Sequence, residues 1–344
     1  MKRQRSLVRM LLLLSGLVIA GLAGCGESAA PDEGDSHQIT IAGFKPGYIS
    51  QMRADGIAEA CRLEHPEWEV TSIAAGGESR IIEKRISGEL DFFFTNGVRQ
   101  LELRVQEPLH PDIDFEAASD YHVVLPLYHM YIHIPARADT GLTAPSDIVE
   151  QRYPFRLGSG GGVARLLFSM MLEHYGASLD DATGWGASVE TIVPSSQAGV
   201  EALRSGRIDL GFTYGGIPKS NFAAYTGDLL LLPVEEPGLM DMFAEWGFVP
   251  KTIPADTYPF LSSDVQTVAA PKSLSTRPDT PDDVVYGLLD AMFTHPDISL
   301  LSQGESPEVV TPESIRNAIS LAERSGEAYH PAALQFFRDR EWLD

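Results

Sequence analysis

Hydrophobic and polar positions along this chain fall into short blocks of two kinds. Residues 38–42, 70–74, 91–95, 155–157, 189–193, 209–213 and 264–270 are apolar, β-branched or aromatic runs of strand length. Residues 52–64, 78–86, 164–175 and 198–205 lie between them and read as helices, the first stopped by Pro66. Residues 282–293 and 312–325 add two helices near the C-terminus. Such alternation predicts an α/β protein with mainly parallel sheets. Residues 121–134 form a longer β-branched and aromatic run. Pro126 inside it predicts an edge strand or two broken pieces.

One block recurs. Residues 87–97 read SGELDFFFTNG and residues 205–215 read SGRIDLGFTYG, an offset of 118 residues. Each copy follows a polar turn and a helix, and each passes through a glycine into a strand. Glycine suits that helix end because it accepts the left-handed conformation there. Asp91 and Asp209 are expected to hydrogen-bond the turn and start the strand. The offset is too large for a solenoid repeat, so it predicts two similar α/β lobes.

The N-terminus has a different pattern. Lys2, Arg3, Arg5 and Arg9 precede a 14-residue apolar run, residues 10–23. A membrane span takes about 20 residues, so this run reads as an export signal. It ends in Leu22-Ala23-Gly24-Cys25, which matches the bacterial lipobox, with Cys25 as the lipidated residue. Residues 1–24 are then a lipoprotein signal peptide, and residues 25–37 an acidic tether.

That segment changes what the overall charge means. The whole chain carries 48 acidic and 26 basic residues, a net charge of −22; loss of the four signal bases makes it −26. So acidic a surface repels phosphate backbones and argues against a nucleic-acid partner. Two cysteines allow no disulfide framework. With Cys25 lipidated, Cys61 remains, in a helical segment where a packing role is expected.

Two similar exported lobes predict a cleft-forming solute receptor that closes by a hinge. Open α/β sheets bind ligands beyond the strand C-termini, where helix N-termini suit a carboxylate. The expected lobes are residues 38–135 with 263–344, and residues 136–262. The segments 121–134 and 264–270 are the candidates to cross between them.

Several motifs, in order, resemble one family. They are Gly47-Tyr48, Gly76-Gly77-Glu78-Ser79, residues 158–165 (GSGGGVAR) and residues 202–218 (ALRSGRIDLGFTYGGIP). Tyr258-Pro259, residues 264–268 (DVQTV) and His330-Pro331-Ala332-Ala333 complete the set. Over residues 38–344 the chain resembles the TAXI-type receptors of tripartite ATP-independent periplasmic (TRAP) transporters. It departs from them in a glycine loop without threonine and in Ile49 where a second tyrosine is expected. The resemblance implies a two-lobed periplasmic binding protein fold of type II, with a hinge and an interlobe ligand cleft. It also implies capture of a small solute, an organic acid or amino acid, for an ion-gradient-driven TRAP permease. The receptor is then anchored by Cys25 on the extracytoplasmic side of a bacterial membrane. An ABC-type solute-binding lipoprotein and a ligand-sensing module of a signalling system are the alternatives.

Candidate ligand residues follow from the loops. Ser159, Gly160, Gly161 and Gly162 lead into a helix and offer backbone N–H groups to a carboxylate. Arg165, one turn in, is a candidate salt-bridge partner. Gly77, Glu78 and Ser79 begin another helix, where Ser79 serves equally as an N-cap. Asn96, Thr213, Tyr214 and Gly215 end the repeated strands, with Thr95 beside them. Tyr48 is a candidate for stacking or hydrogen bonding, and Gly216-Ile217-Pro218 closes the second-lobe site.

The remaining chemistry points away from catalysis. The glycine loop is followed neither by Lys-Ser/Thr nor by the third glycine of a dinucleotide fingerprint. No G-x-S-x-G elbow or H-E-x-x-H motif occurs. His129 and His133 are four apart, but in a strand they lie about 13 Å apart, too far to share zinc. His330 is expected to be a structural hydrogen-bonder. No enzyme activity, cofactor or metal is therefore expected.

Overall fold

The computed structural model describes residues 36–96, 114, 120–160, 162–304 and 306–344. The expected signal, Cys25, nearly all of the tether and Gly161 lie outside the described residues. The chain begins with β1 (Gln38–Gly43), α1 (Ile49–Glu64), β2 (Glu69–Ala74), α2 (Glu78–Ile86) and β3 (Phe92–Asn96). β1 pairs in parallel with both β2 and β3, so the spatial order is 2-1-3. The buried positions Ala54, Ile57, Ala58 and Cys61 recur at helical spacing along α1. Cys61 is fully buried, and desolvation pushes its thiol up to about 12. It packs as an inert apolar group, as its context predicted.

The second block is β4 (His122–His133), β5 (Pro135–Arg137), α3 (Asp147–Glu150), β6 (Arg156–Ser159), α4 (Gly162–His174), α5 (Leu179–Gly184), β7 (Ser188–Thr191), α6 (Gln197–Arg204) and β8 (Leu210–Gly215). β6 pairs in parallel with β7 and β8, the same arrangement as 2-1-3. The repeated aspartates explain why the motif recurs. Asp91 accepts the Thr40 N–H at 2.8 Å and donates its own N–H to Thr40 O at 3.0 Å. Asp209 accepts the Arg156 N–H at 2.8 Å and donates to Arg156 O at 3.0 Å. Each therefore ties the adjacent first strand of its half, rather than its own turn as expected. In each case the carboxylate satisfies an N–H one residue before the ladder to the aspartate's own strand begins, at Ile41–Phe92 and at Leu157–Leu210.

The rest comprises α7 (Ser220–Ala223), β9 (Leu229–Leu231), α8 (Pro237–Ala244), β10 (Val249–Ile253), β11 (Val265–Thr276), α9 (Asp282–Thr294), α10 (Ser306–Val309), α11 (Pro312–Ser325), β12 (Ala328–Tyr329) and α12 (Pro331–Asp339). β11 pairs antiparallel with β3, β4 and β10. β4 is neither an edge strand nor two pieces: β11 flanks one side, and β12 and β8 flank the other. Pro126 is tolerated for two local reasons. It faces Ser273 where the β4–β11 register shifts, and β12 and β8 pair only with residues 122–123 and 131–133. The missing donor is thus placed where no regular ladder needs it.

Two main cores result. One contains Ile41, Phe92, Leu125, Leu274, Leu288 and Phe337. The other contains Ile132, Leu157, Phe168, Phe212, Val268 and Ala270. β4 and β11 supply side chains to both. His330 behaves as predicted: its Nδ1 accepts the Ala332 N–H at 3.3 Å, and its Nε2 lies 3.0 Å from Thr280 O. It caps α12 and ties it to the turn before α9.

Candidate functional site

A cavity of about 780 Å³ opens beyond the C-terminal ends of the parallel strands. The strands fix where it lies. β1 leads to Gly47 and Tyr48, β6 to Gly160, β7 to Ser195 and Ser196, and β8 to Gly215 and Lys219. Such sites collect loops and helix N-termini at one rim. Tyr48 is the N-cap residue of α1 and makes no side-chain cap. Its ring lies 5.1 Å from that of Phe44, and the residue is 53% exposed at the mouth. The start of α6 differs, because the Ser196 hydroxyl accepts the Gly199 N–H at 3.0 Å.

The charged groups of the described lining are all cations: Arg85, Lys219 and Lys272. This is notable in a chain of net charge −22. Lys219 follows β8 and folds back over it. A Cβ at Gly215 would stand 2.5 Å from the Lys219 Nζ, so glycine makes room for the ammonium. Lys272 pairs across β11 with Tyr128 of β4, another lining residue. Arg85 is buried, with its guanidinium 4.9 and 5.0 Å from the rings of Phe93 and Tyr121.

A buried relay holds the Lys219 turn. The Lys219 N–H donates to the Tyr258 hydroxyl at 3.1 Å. The Tyr258 oxygen lies 2.9 Å from His133 Nε2, and His133 Nδ1 lies 3.2 Å from Tyr131 O. A carbonyl only accepts, so Nδ1 carries the proton and Nε2 accepts from Tyr258. Burial, with the Lys219 charge adding to it, holds His133 well below its usual range and therefore neutral. Burial also pushes the Lys219 ammonium down, to about 8. Tyr258 is raised by burial and stays a donor.

The structure brings Tyr48 of the first half and Gly160, Gly162, Thr213, Tyr214 and Gly215 of the second to the wall of this one cavity, with Gly216 and Pro218. Gly160 has a packing reason as well, since a Cβ there would meet Val193 Cγ2 at 2.9 Å. Ser159 is buried in β6 behind this wall, and its hydroxyl has no hydrogen-bond partner among the described residues. Arg165 is exposed on α4, outside the lining residues. Gly77 is the N-cap residue of α2, Glu78 and Ser79 open that helix, and Asn96 ends β3. Thr95 bonds the Ser275 hydroxyl at 2.7 Å in the core. His129 and His133 both lie in β4, the strand setting expected for them. Lys219, Lys272 and Arg85 were missed. The one available signal was the position of Lys219, directly after the Gly-Gly-Ile-Pro turn that closes the second repeat.

Residues 57–340 match the model of the NMT1-like family. No curated protein matches the chain in sequence. Among solved structures, a periplasmic transporter is similar over 90% of this chain and 97% of its own, at 17% identity and a TM-score of 0.50. MatC from Rhodopseudomonas palustris with bound malate is similar over 84% of this chain and 97% of its own, at 14% identity and a TM-score of 0.50. The shared feature is the two-lobed α/β fold of periplasmic binding proteins.

Proposed function

The chain belongs to the NMT1-like family, and from that premise we propose that it is an extracytoplasmic receptor for a small organic anion. The observation that carries this is the charged lining: three cations and, among the described residues, no carboxylate. A cavity wall of one sign focuses potential and selects the opposite charge, whatever the sign of the outer surface. An amino acid needs a partner for its ammonium group as well, so an organic acid fits this wall better. The malate held by the structural relative MatC is such an acid. The fold shared with periplasmic binding proteins supports a receptor rather than an enzyme.

In this reading residues 38–135 and 263–344 form one lobe, residues 136–262 the other, and β4 and β11 cross between them. Closure around the anion presents a joined surface to a membrane permease. The TAXI-like motifs favour an ion-gradient-driven TRAP permease over an ABC transporter. Thermal-shift screening of organic acids, amino acids and sugars tests the ligand class. A true ligand at 100 times its dissociation constant stabilises the fold by about 2.7 kcal/mol. Organic acids are expected to raise the midpoint. A shift by sugars with none by any acid would sink the anion reading.

Anchoring is a separate proposal, supported by the lipobox ending in Cys25. In cells expressing the full chain, Cys25→Ala is expected to move the protein from the membrane fraction to the soluble envelope fraction. Retention of the variant in membranes would refute the lipid anchor.

A further inference from the structure

The cations account for one part of the cavity, and much of the remaining wall is apolar. Lys272 of β11 and the Lys219 ammonium, folded back over β8, form a floor on either side of β4. Gly215, beneath the Lys219 Nζ, pairs with Tyr131, and Lys272 pairs with Tyr128. Two strand spacings and the three-residue offset along β4 put those backbones about 14 Å apart, a gap that two long side chains and a carboxylate between them can span, and both lysines line the cavity. Met130 Cε lies 3.9 Å from the same Gly215 position that Lys219 covers, so an apolar group adjoins the cation. Arg85 is already engaged by two aromatic rings.

Above this floor the lining includes Ile81 and Ile82 of α2, Phe94 of β3 and Val163 of α4. At the mouth Tyr48, Ile49 and Val193 are 53, 45 and 44% exposed. Large apolar side chains left in water around a cavity mark a surface that something apolar covers. They come from both repeated halves: Tyr48 and Ile49 follow β1, and Val193 follows β7. The volume of about 780 Å³ lies in the upper part of the range for drug-sized ligands. A three- or four-carbon acid leaves most of it to water.

We propose that the ligand is an amphipathic organic acid, with one carboxylate head on the Lys219–Lys272 floor and an aliphatic or aromatic tail against the apolar walls of both halves. This rests on the anion-receptor reading of the same cavity and adds the chemistry of the rest of the ligand. Each methylene moved from water to those walls strengthens binding, whereas a hydroxylated diacid gains nothing from them.

Calorimetric titration of the purified protein with acetate, malate, hexanoate, phenylacetate and hexanamide separates the two claims. Hexanoate and phenylacetate are expected to bind at least tenfold tighter than acetate and malate. Hexanamide is expected to bind at least tenfold more weakly than hexanoate. Malate binding as tightly as hexanoate and phenylacetate overturns the apolar tail and leaves the anion reading intact. Hexanamide binding as tightly as hexanoate overturns the anion reading itself, and no binding by any acid overturns both. Val193→Ser alters the wall at a half-exposed position, and a urea unfolding curve beside the titration checks that the fold is kept. It is expected to weaken hexanoate and phenylacetate three- to tenfold and to leave acetate unchanged; equal weakening of all three overturns the tail assignment.

Discussion

Lys219→Met is expected to raise the dissociation constant for the captured anion about a hundredfold without lowering the stability of the unliganded protein. Methionine keeps the unbranched stem against Gly215 and removes the charge. Truncating one side of a buried charged contact costs about 2–5 kcal/mol, and the lower part of that range is already a hundredfold. The same substitution removes an ammonium that burial disfavours, so the empty protein loses nothing. Calorimetric titration with an acid found by thermal shift, beside a urea unfolding curve, checks both halves. Unchanged affinity would show that the anion is held elsewhere.

The pH dependence gives the same residue a second signature. Burial lowers the Lys219 pKa from 10.5 to about 8. Between those values the unfolded chain holds a proton that the folded chain has lost. The unfolded state binds more protons there, so this group's contribution to stability rises with pH from about 8 to 10.5. Anion affinity runs the other way: it is full below about pH 8, where Lys219 is charged, and falls above it. His133 stays neutral throughout, and Tyr128 and Tyr258 are raised above their usual range by burial. In Lys219→Met the loss of affinity that begins near pH 8 should disappear. Its persistence would assign the titration to another group.

Much of the fold was legible because its periodicities are local. Residues 312–325 and 78–86 were bounded from sequence as they occur, since Pro312 opens one helix and glycine turns frame the other. The repeat predicted two matching α/β units, and the 2-1-3 pairing appears in both halves. What failed was pairing that is not local. Pro126 argued for an edge, because the sequence cannot show that β12 and β8 leave it a gap. The cavity cations were illegible for the same reason. Lys219, Lys272 and Arg85 are separated by long stretches of chain, and nothing about a single lysine in sequence shows what surrounds it. Loop glycines were read as ligand contacts. Gly160 and Gly215 do line the cavity, but their geometry also serves Val193 and Lys219.

Asp209→Ala is expected to destabilise the fold by about 2–4 kcal/mol, and Asp91→Ala by a comparable or somewhat smaller amount. Asp209 is 4% exposed and accepts two bonds from one residue, the Arg156 N–H at 2.8 Å and Arg156 Nε at 2.9 Å. The Arg156 side chain is 52% exposed, so the ion pair itself contributes little. The larger cost is the strand-start N–H left without an acceptor, about 1–3 kcal/mol, together with the void left by the carboxylate. Asn in place of Asp209 retains an oxygen for that N–H, and about 1 kcal/mol of loss is expected from it. Asp91 repeats the backbone contact at Thr40, with Arg277 3.2 Å from its carboxylate, but its side chain is 23% exposed. Partial access to water lets the orphaned N–H recover some hydration, hence the smaller loss. Equilibrium unfolding of both alanine variants measures the equivalence of the two halves directly. If Asp209→Ala is costly and Asp91→Ala is neutral, the motif is a shared sequence pattern without a shared structural role, and the symmetry of the two lobes has to rest on strand order alone.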